Sequence, residues 1–308
     1  VARDIVVLGI FVADMTFRGA RPPKMGETLL GDSFALGPGG KGSNQAIAAA
    51  RAGGRVRFIT RLGNDAFADM AEALWGEAGI SPAVTRDAKS YTGAASIFVD
   101  RETGDNAITV APGAAMTLSP ADLEAQATQI GGAAVFLTQL EQPLDAAMRG
   151  LELARAGGAV TILNPAPAAD LPDAMLALCD YVTPNESEAE ALTGLPVRSL
   201  AEAETAARAL CGRGVGTALI TLGENGVVMH DGTGARHFPA MSAGAVVETT
   251  GAGDAFNGGF AAALAAGART EEAVRFGIAT ASISVTRPGA AASMPHRGEI
   301  EALLARGV

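Results

Sequence analysis

The feature that most restricts the fold is an alternation that sets in near residue 55. Short apolar runs at 55–60, 133–138, 159–163, 180–183 and 217–221 are separated by stretches of helical spacing at 65–79, 119–130, 143–156, 186–193 and 199–213. Strands that recur only after a helix pair in parallel and carry their helices on the sheet faces. The run D-I-V-V-L-G at 4–9 is β-branched and wholly apolar, the pattern of a central strand buried on both sides. Helical spacing returns at 270–286 and 297–307. Gly223-Glu-Asn-Gly226 and Asp231-Gly-Thr-Gly234 are hairpin turns, which makes the flanking His230 and His237 hairpin residues rather than ligands. No internal repeat or long linker intervenes, so residues 1–308 are expected to form one domain.

Two segments stand outside this alternation. Residues 12–37 have no helical period and are punctuated by Pro22-Pro23 and Gly26. Residues 92–111 hold two apolar pieces around a turn at 102–106. Their strands are expected to pair into a small sheet that closes over the site as a lid.

Composition removes several classes of function. A hydrophobic content of 48% supplies a large core and argues against disorder. A net charge of −10 lacks the basic face that a general nucleic-acid binder needs. Cys179 and Cys211 have no metal or disulfide spacing and are expected to be reduced. No apolar run approaches the roughly 20 residues of a membrane span, and the run at 5–13 is bounded by Asp4 and Asp14, unlike a signal peptide. A soluble, cytoplasmic protein is expected.

The chemistry concentrates at 248–259, E-T-T-G-A-G-D-A-F-N-G-G. Ala245-Val246-Val247 reads as a short strand before it, and 255–266 as an Ala-rich helix after it. Gly251, Ala252 and Gly253 leave backbone N–H groups unobstructed at a helix start, where a phosphate can bind. Asp254 follows at once. A carboxylate beside a phosphate cradle suits a base that takes the proton from an attacking hydroxyl. Its plainer role would be an N-cap.

The glycine-rich stretch at 37–45, G-P-G-G-K-G-S-N-Q, precedes a helix at 46–52. It is not a P-loop, because Gly42 stands where Ser or Thr would hold magnesium. Its G-x-G-x-x-G match does not follow the first strand, as a dinucleotide fold requires. The remaining reading is a turn that exposes backbone to a polar ligand, with Lys41 and Asn44 as donors. Asp14, Glu141, Asn164, Asn185, Glu188, Thr221 and Gly223 all follow strand-like runs. In a parallel sheet the carboxyl ends of the strands form the ligand cleft.

These pieces together resemble the ribokinase branch of the PfkB family of carbohydrate kinases. The resemblance rests on G-P-G-G-K-G-S-N-Q-A and E-T-T-G-A-G-D-A-F-N-G-G, with Q-L-E at 139–141, N-P-A-P at 164–167, T-P-N-E-S-E-A-E at 183–190 and T-L-G-E-N-G at 221–226 between them. It covers nearly the whole chain. It implies a three-layer α/β/α sandwich with a mostly parallel central sheet and a small β-sheet lid. It implies transfer of the γ-phosphoryl group of ATP to a primary hydroxyl, of D-ribose in the first instance. Asp254 would be the base and Gly251, Ala252 and Gly253 the anion hole. Asp14, Gly40, Lys41, Asn44 and Glu141 would hold the sugar. Asn185, Thr221, Gly223, Gly226 and Gly253 would hold ATP, and Glu188 would organise magnesium. Glu248, Thr250, Ser284, Arg287, Gly289 and Ser293 would surround a monovalent cation such as potassium, several through carbonyls. A homodimer packed through its lids is also implied.

The chain departs from that pattern twice. Val12 replaces the Asn usual two residues before the sugar-binding Asp, so fructose, a keto-deoxy sugar acid or a nucleoside is an alternative acceptor. Glu248 replaces a shorter Asp at the cation site. A sugar sensor that had lost catalysis would lack the base or the anion-hole glycines, and both are present. A nicotinamide enzyme is suggested only by the weak glycine match.

Overall fold

In the computed structural model, which describes residues 4–307, thirteen strands form two sheets among the described residues. In chain order the strands are β1 (Ile5–Leu8), β2 (Val12–Gly19), β3 (Ser33–Gly39), β4 (Val56–Leu62), β5 (Ser81–Arg86), β6 (Thr92–Asp100) and β7 (Asn106–Gly113). They continue as β8 (Val135–Thr138), β9 (Val160–Leu163), β10 (Tyr181–Val182), β11 (Thr217–Thr221), β12 (Val227–His230) and β13 (Ala235–Phe238). The large sheet runs β13-β12-β11-β10-β9-β8-β1-β4-β5. All its pairs from β11 to β5 are parallel, and the two hairpin pairs at the other end are antiparallel. The small sheet, β3-β2-β6-β7, joins the two segments that lacked helical period, through a parallel β2–β6 pairing.

The apolar run of β1 is buried on both sides because the sheet is covered on both sides. Ile5 and Val7 enter one core with the helices Lys41–Arg51, Ala66–Glu77, Ala252–Ala265 and Thr270–Ser284. Val6 and Leu8 point the opposite way, into a second core with Leu144–Gly157 and Leu200–Gly212. This two-sided burial is what the alternation demanded. The chain is a three-layer α/β/α sandwich with a mostly parallel central sheet and a smaller sheet beside it.

Two local expectations need correction, and one strand was not expected. Residues 245–247 form no strand: Val246 and Val247 are 66% and 61% exposed. Both edges of the large sheet lie elsewhere, and the segment instead bonds the end of a helix, Val247 N donating to Val285 O at 2.8 Å. The single helix expected at 119–130 is two short ones, Pro120–Glu124 and Ala127–Gly131. Strand β5 carries no clear apolar alternation; it is an edge strand, where Pro82 is tolerated because one side needs no ladder partner.

The helices of the two glycine-rich signatures cross at close range. A Cβ on Gly258 would lie 2.7 Å from Ala49 N and from Gln45 O. On the next residue, Gly259, it would collide with Thr280. The paired glycines therefore bring Ala252–Ala265 against both neighbouring helices. Gly258→Ala is expected to lower unfolding free energy by about 1–3 kcal/mol in urea titration. Gly212→Ala, on a helix residue with open space around it, is expected to leave stability unchanged or raise it by about 0.5–1 kcal/mol.

Candidate active site

Two helix starts face each other at the carboxyl ends of β1 and β8. The first signature opens the helix Lys41–Arg51 from Gly40, whose φ of 88° and contact with Ile10 O admit only glycine. Gly42 packs against Gly9, with no room for a Cβ on either. Backbone thus meets backbone where the first strand ends, and Lys41, Asn44 and Gln45 emerge into the gap. The helix begins at Lys41 rather than at residue 46, so the polar residues of the motif form its first turns.

The second signature opens the helix Ala252–Ala265 from Gly251, held at φ 77°. Asp254 is the third residue of this helix and is not its cap, since Gly251 occupies that position and no side chain caps the helix. The N-cap role is thereby removed. The first amides of a helix have no intrahelical partner, and open space lies beside Gly253. An anion at this end is also favoured by the helix dipole.

Asp254 is 7% exposed and receives one amide on each carboxylate oxygen. Asn44 Nδ2 donates to Oδ2 at 3.0 Å and Gln45 Nε2 to Oδ1 at 2.9 Å. Glu141, after β8, accepts from the backbone N–H of Lys41 at 2.7 Å. Asp14 lies within β2 with its carboxylate against Gly39. Burial pushes the Asp14 carboxyl up to about 6 and the Glu141 carboxyl up to about 7. Asp254 is also raised by burial, opposed by the Lys41 charge and by its Asn44 and Gln45 donors. Buried carboxylates gathered around one lysine mark a functional cleft.

At the ends of β10 and β11 lie the other candidates. Asn185 bridges to Thr221 and caps the helix Glu186–Thr193. It accepts from Glu188 N at 2.9 Å, while Glu188 Oε2 accepts from Asn185 N at 2.9 Å. Burial raises Glu188, and Lys41 and Asp254 are among the charges acting on it, so this capping box faces the same cleft. Gly226 is pressed against the Phe238 carbonyl at φ 84°, whereas Gly223 borders open space. Among the described residues no group of three or more His, Cys, Asp or Glu could hold a metal by itself.

The segment at 247–251 packs against 284–294. Glu248 Oε2 accepts from Gly289 N at 2.9 Å, and Gly251 touches Ala290. The hydroxyls of Ser284 and Ser293 donate to Ala281 O and Ala290 O, each at 2.8 Å, and Arg287 pairs with Glu299. The side chains of Ser284, Arg287 and Ser293 are thus engaged within their own segment, and the Ser284 carbonyl accepts from Arg287 N at 3.1 Å. Sequence reasoning assigned no role to Gln45 or Gln139, both fully buried beneath Asp254. Their one sequence signal was membership of the short pieces N-Q-A and Q-L-E.

The pfkB family carbohydrate kinase model matches residues 2–297. Ribokinase of Haemophilus influenzae is 39% identical over 298 residues, covering 96% of this chain and 97% of that protein. Deoxyribokinase of Salmonella typhi is 36% identical, covering 95% of each. The structure of Arabidopsis thaliana ribokinase complexed with ribose and ATP superposes with a TM-score of 0.93 at 32% identity, covering 99% of both chains. With these likenesses spanning the sheet, both helix starts and the buried carboxylate between them, the chain belongs to the pfkB family of carbohydrate kinases.

Proposed function

We propose that this carbohydrate kinase transfers the γ-phosphoryl group of ATP to the primary hydroxyl of D-ribose, giving ribose 5-phosphate. The observation that carries the reading is the buried Asp254 carboxylate, one residue past the open amides of Gly253 and held by two side-chain amides. The sugar hydroxyl gives its proton to Asp254 as its oxygen attacks the γ-phosphorus, and the bond to ADP breaks. Amides of Gly251, Ala252 and Gly253 take the charge that spreads onto the transferring oxygens, that of Ala252 by leaving Thr249 O, to which it donates at 3.1 Å. Asp14, Gly40, Lys41, Asn44 and Glu141 hold the sugar. Asn185, Thr221, Gly223 and Gly226 hold the nucleotide, which the likeness to the ribose and ATP complex supports.

Glu188 keeps its second carboxylate oxygen outside the capping box, and it would help order magnesium carried by the phosphates. Bound there, magnesium supplies charge neutralisation of the phosphates. The carbonyls around Glu248 and Gly289 would take a potassium ion that orders the anion hole. The outward face of the small sheet, where Phe17 and Phe34 pair beside Leu36, supports a lid and a homodimer packed through it. A cytoplasmic location fits the two free cysteines, and no described helix is long and apolar enough to cross a membrane.

A second reading keeps the reaction and changes the acceptor. Val12, 4% exposed, packs with Ile10, Ala95 and Ala115 where an amide would have met a sugar hydroxyl. A pentose lacking one hydroxyl, such as 2-deoxyribose, avoids leaving that hydroxyl unpaired, and a deoxyribokinase is among the close relatives.

Coupled ADP release with ribose, 2-deoxyribose, fructose, a keto-deoxy sugar acid and nucleosides, with and without potassium, decides between them. Ribose is expected to have the highest kcat/KM, with stimulation by potassium; a tenfold preference for another acceptor would overturn the assignment. Val12→Asn is expected to shift the ribose to 2-deoxyribose ratio toward ribose by about tenfold. Asp254→Asn is expected to lower kcat by about 10²–10⁴-fold.

Glu141 carries a conflict between stability and function. Its folded carboxyl titrates near 7 against an ordinary 4.5, so the native state holds its proton longer than the unfolded chain. Its ionisation therefore subtracts stability as pH rises from about 4.5 through 7. Glu141→Gln is expected to raise the stability of the ligand-free protein by about 3 kcal/mol at pH 8 and by almost nothing near pH 4.5. Sugar affinity is expected to fall in the same variant, measured by calorimetric titration.

A further inference from the structure

The floor of the site is a chain of side-chain amides that the reaction as described does not use. Gln45 is fully buried, and both hydrogens of its Nε2 are engaged, one by Asp254 Oδ1 and one by Asn164 Oδ1, each at 2.9 Å. Its Oε1 accepts from Gln139 Nε2 at 2.6 Å. A reversed Gln45 amide would face oxygen with oxygen at Asp254 and at Asn164, and nitrogen with nitrogen at Gln139. Only one orientation satisfies all three partners. Asn164 is held in turn by donating to Thr183 O at 3.1 Å. The Thr183 hydroxyl bonds Asn257 Oδ1 at 2.7 Å, and Asn257 Nδ2 returns to Gly253 O at 2.9 Å. The path therefore leaves the carboxylate, passes below it through two strand ends, and closes on the first turn of its own helix.

We propose that Gln45 is a positioning residue whose amide, oriented by Gln139 and Asn164, sets the plane of the Asp254 carboxylate for proton transfer. The inference rests on Asp254 being the base. Asn44 also grips the carboxylate, from the side where the sugar is proposed to bind, whereas Gln45 reaches it from the closed interior. Lys41, from the same helix start, is the charge that opposes the burial of Asp254, and the Asp254 charge in turn raises Glu141 at the end of β8 and Glu188 across the cleft. The Gln45 donor favours the ionised carboxylate against the burial that opposes it.

The test compares pH–rate profiles of the wild type with those of Gln45→Met, Gln139→Met and Asp254→Asn. Thermal melting and ADP binding report whether each variant is folded. In Gln45→Met, kcat is expected to fall about ten- to a hundredfold. The sugar KM is expected to change far less. The acid limb of kcat/KM is expected to move up by about one to two pH units, because a base that loses a donor to its ionised form holds its proton to higher pH. Gln139→Met touches neither Asp254 nor the proposed sugar residues, so a smaller shift in the same direction reports the freed Gln45 amide. It also carries the test if Gln45→Met does not fold. An unmoved acid limb in a folded variant, or an effect confined to KM, overturns the role of Gln45. An inactive Asp254→Asn beside that result leaves the base assignment standing, whereas an active Asp254→Asn overturns the base assignment itself.

Discussion

A carboxylate removed from water loses its hydration and survives as an anion only where fixed donors replace it. Asp254 stands in that position, and much of the surrounding architecture can be traced to satisfying it. Two amides from consecutive residues of one helix reach its two oxygens. The helix that carries it contributes the positive end of its dipole. Lys41, at the first position of the facing helix, adds a full charge. The site is therefore a meeting of two helix starts over one anion, with a phosphate expected beside it rather than on it.

That meeting depends on backbone proximity, which explains where the glycines fall. Gly9 against Gly42 joins the end of the first strand to the start of the first-signature helix. Gly258 against Ala48 and Ala49 holds the two signature helices together about one turn below the site. A methyl group at either place would move one helix start relative to the other by an ångström or so, and the amides would no longer span the carboxylate. Packing in the core and geometry at the site are the same constraint read at two depths.

The small sheet follows a different logic. It contributes Asp14 and Val12 from β2 to the proposed sugar side, yet it leaves Phe17, Phe34 and Leu36 exposed. A sheet this thin, with one face toward the cleft and the other toward solvent, has little core of its own. Its strands come from two separate stretches of chain and are joined by the β2–β6 pairing.

Much of this was legible in the residues. Parallel order followed from apolar runs that recur only after helices, because no hairpin can join such strands. Asn185 could be placed as an N-cap, because an Asn followed three residues later by Glu can close a capping box locally. Asp254 and the small residues before it stood out because they lie within a few consecutive residues. The errors have physical causes as well. Residues 245–247 are apolar enough for a strand, but a strand needs a free edge, and the chain supplies none there. Strand β5 was hidden because an edge strand needs little apolar alternation. Gln45 and Gln139 were silent because a buried amide has no spacing signature; its meaning lies in what faces it. The sequence by itself determined the parallel order of the alternating strands and the place of Asp254 beside small residues near a helix start, both of which are set by local pattern. Only the tertiary structure decided where the two helices begin, which amides hold Asp254 and how closely the helices approach. Those contacts join residues 94 to 210 positions apart, and no local preference encodes them.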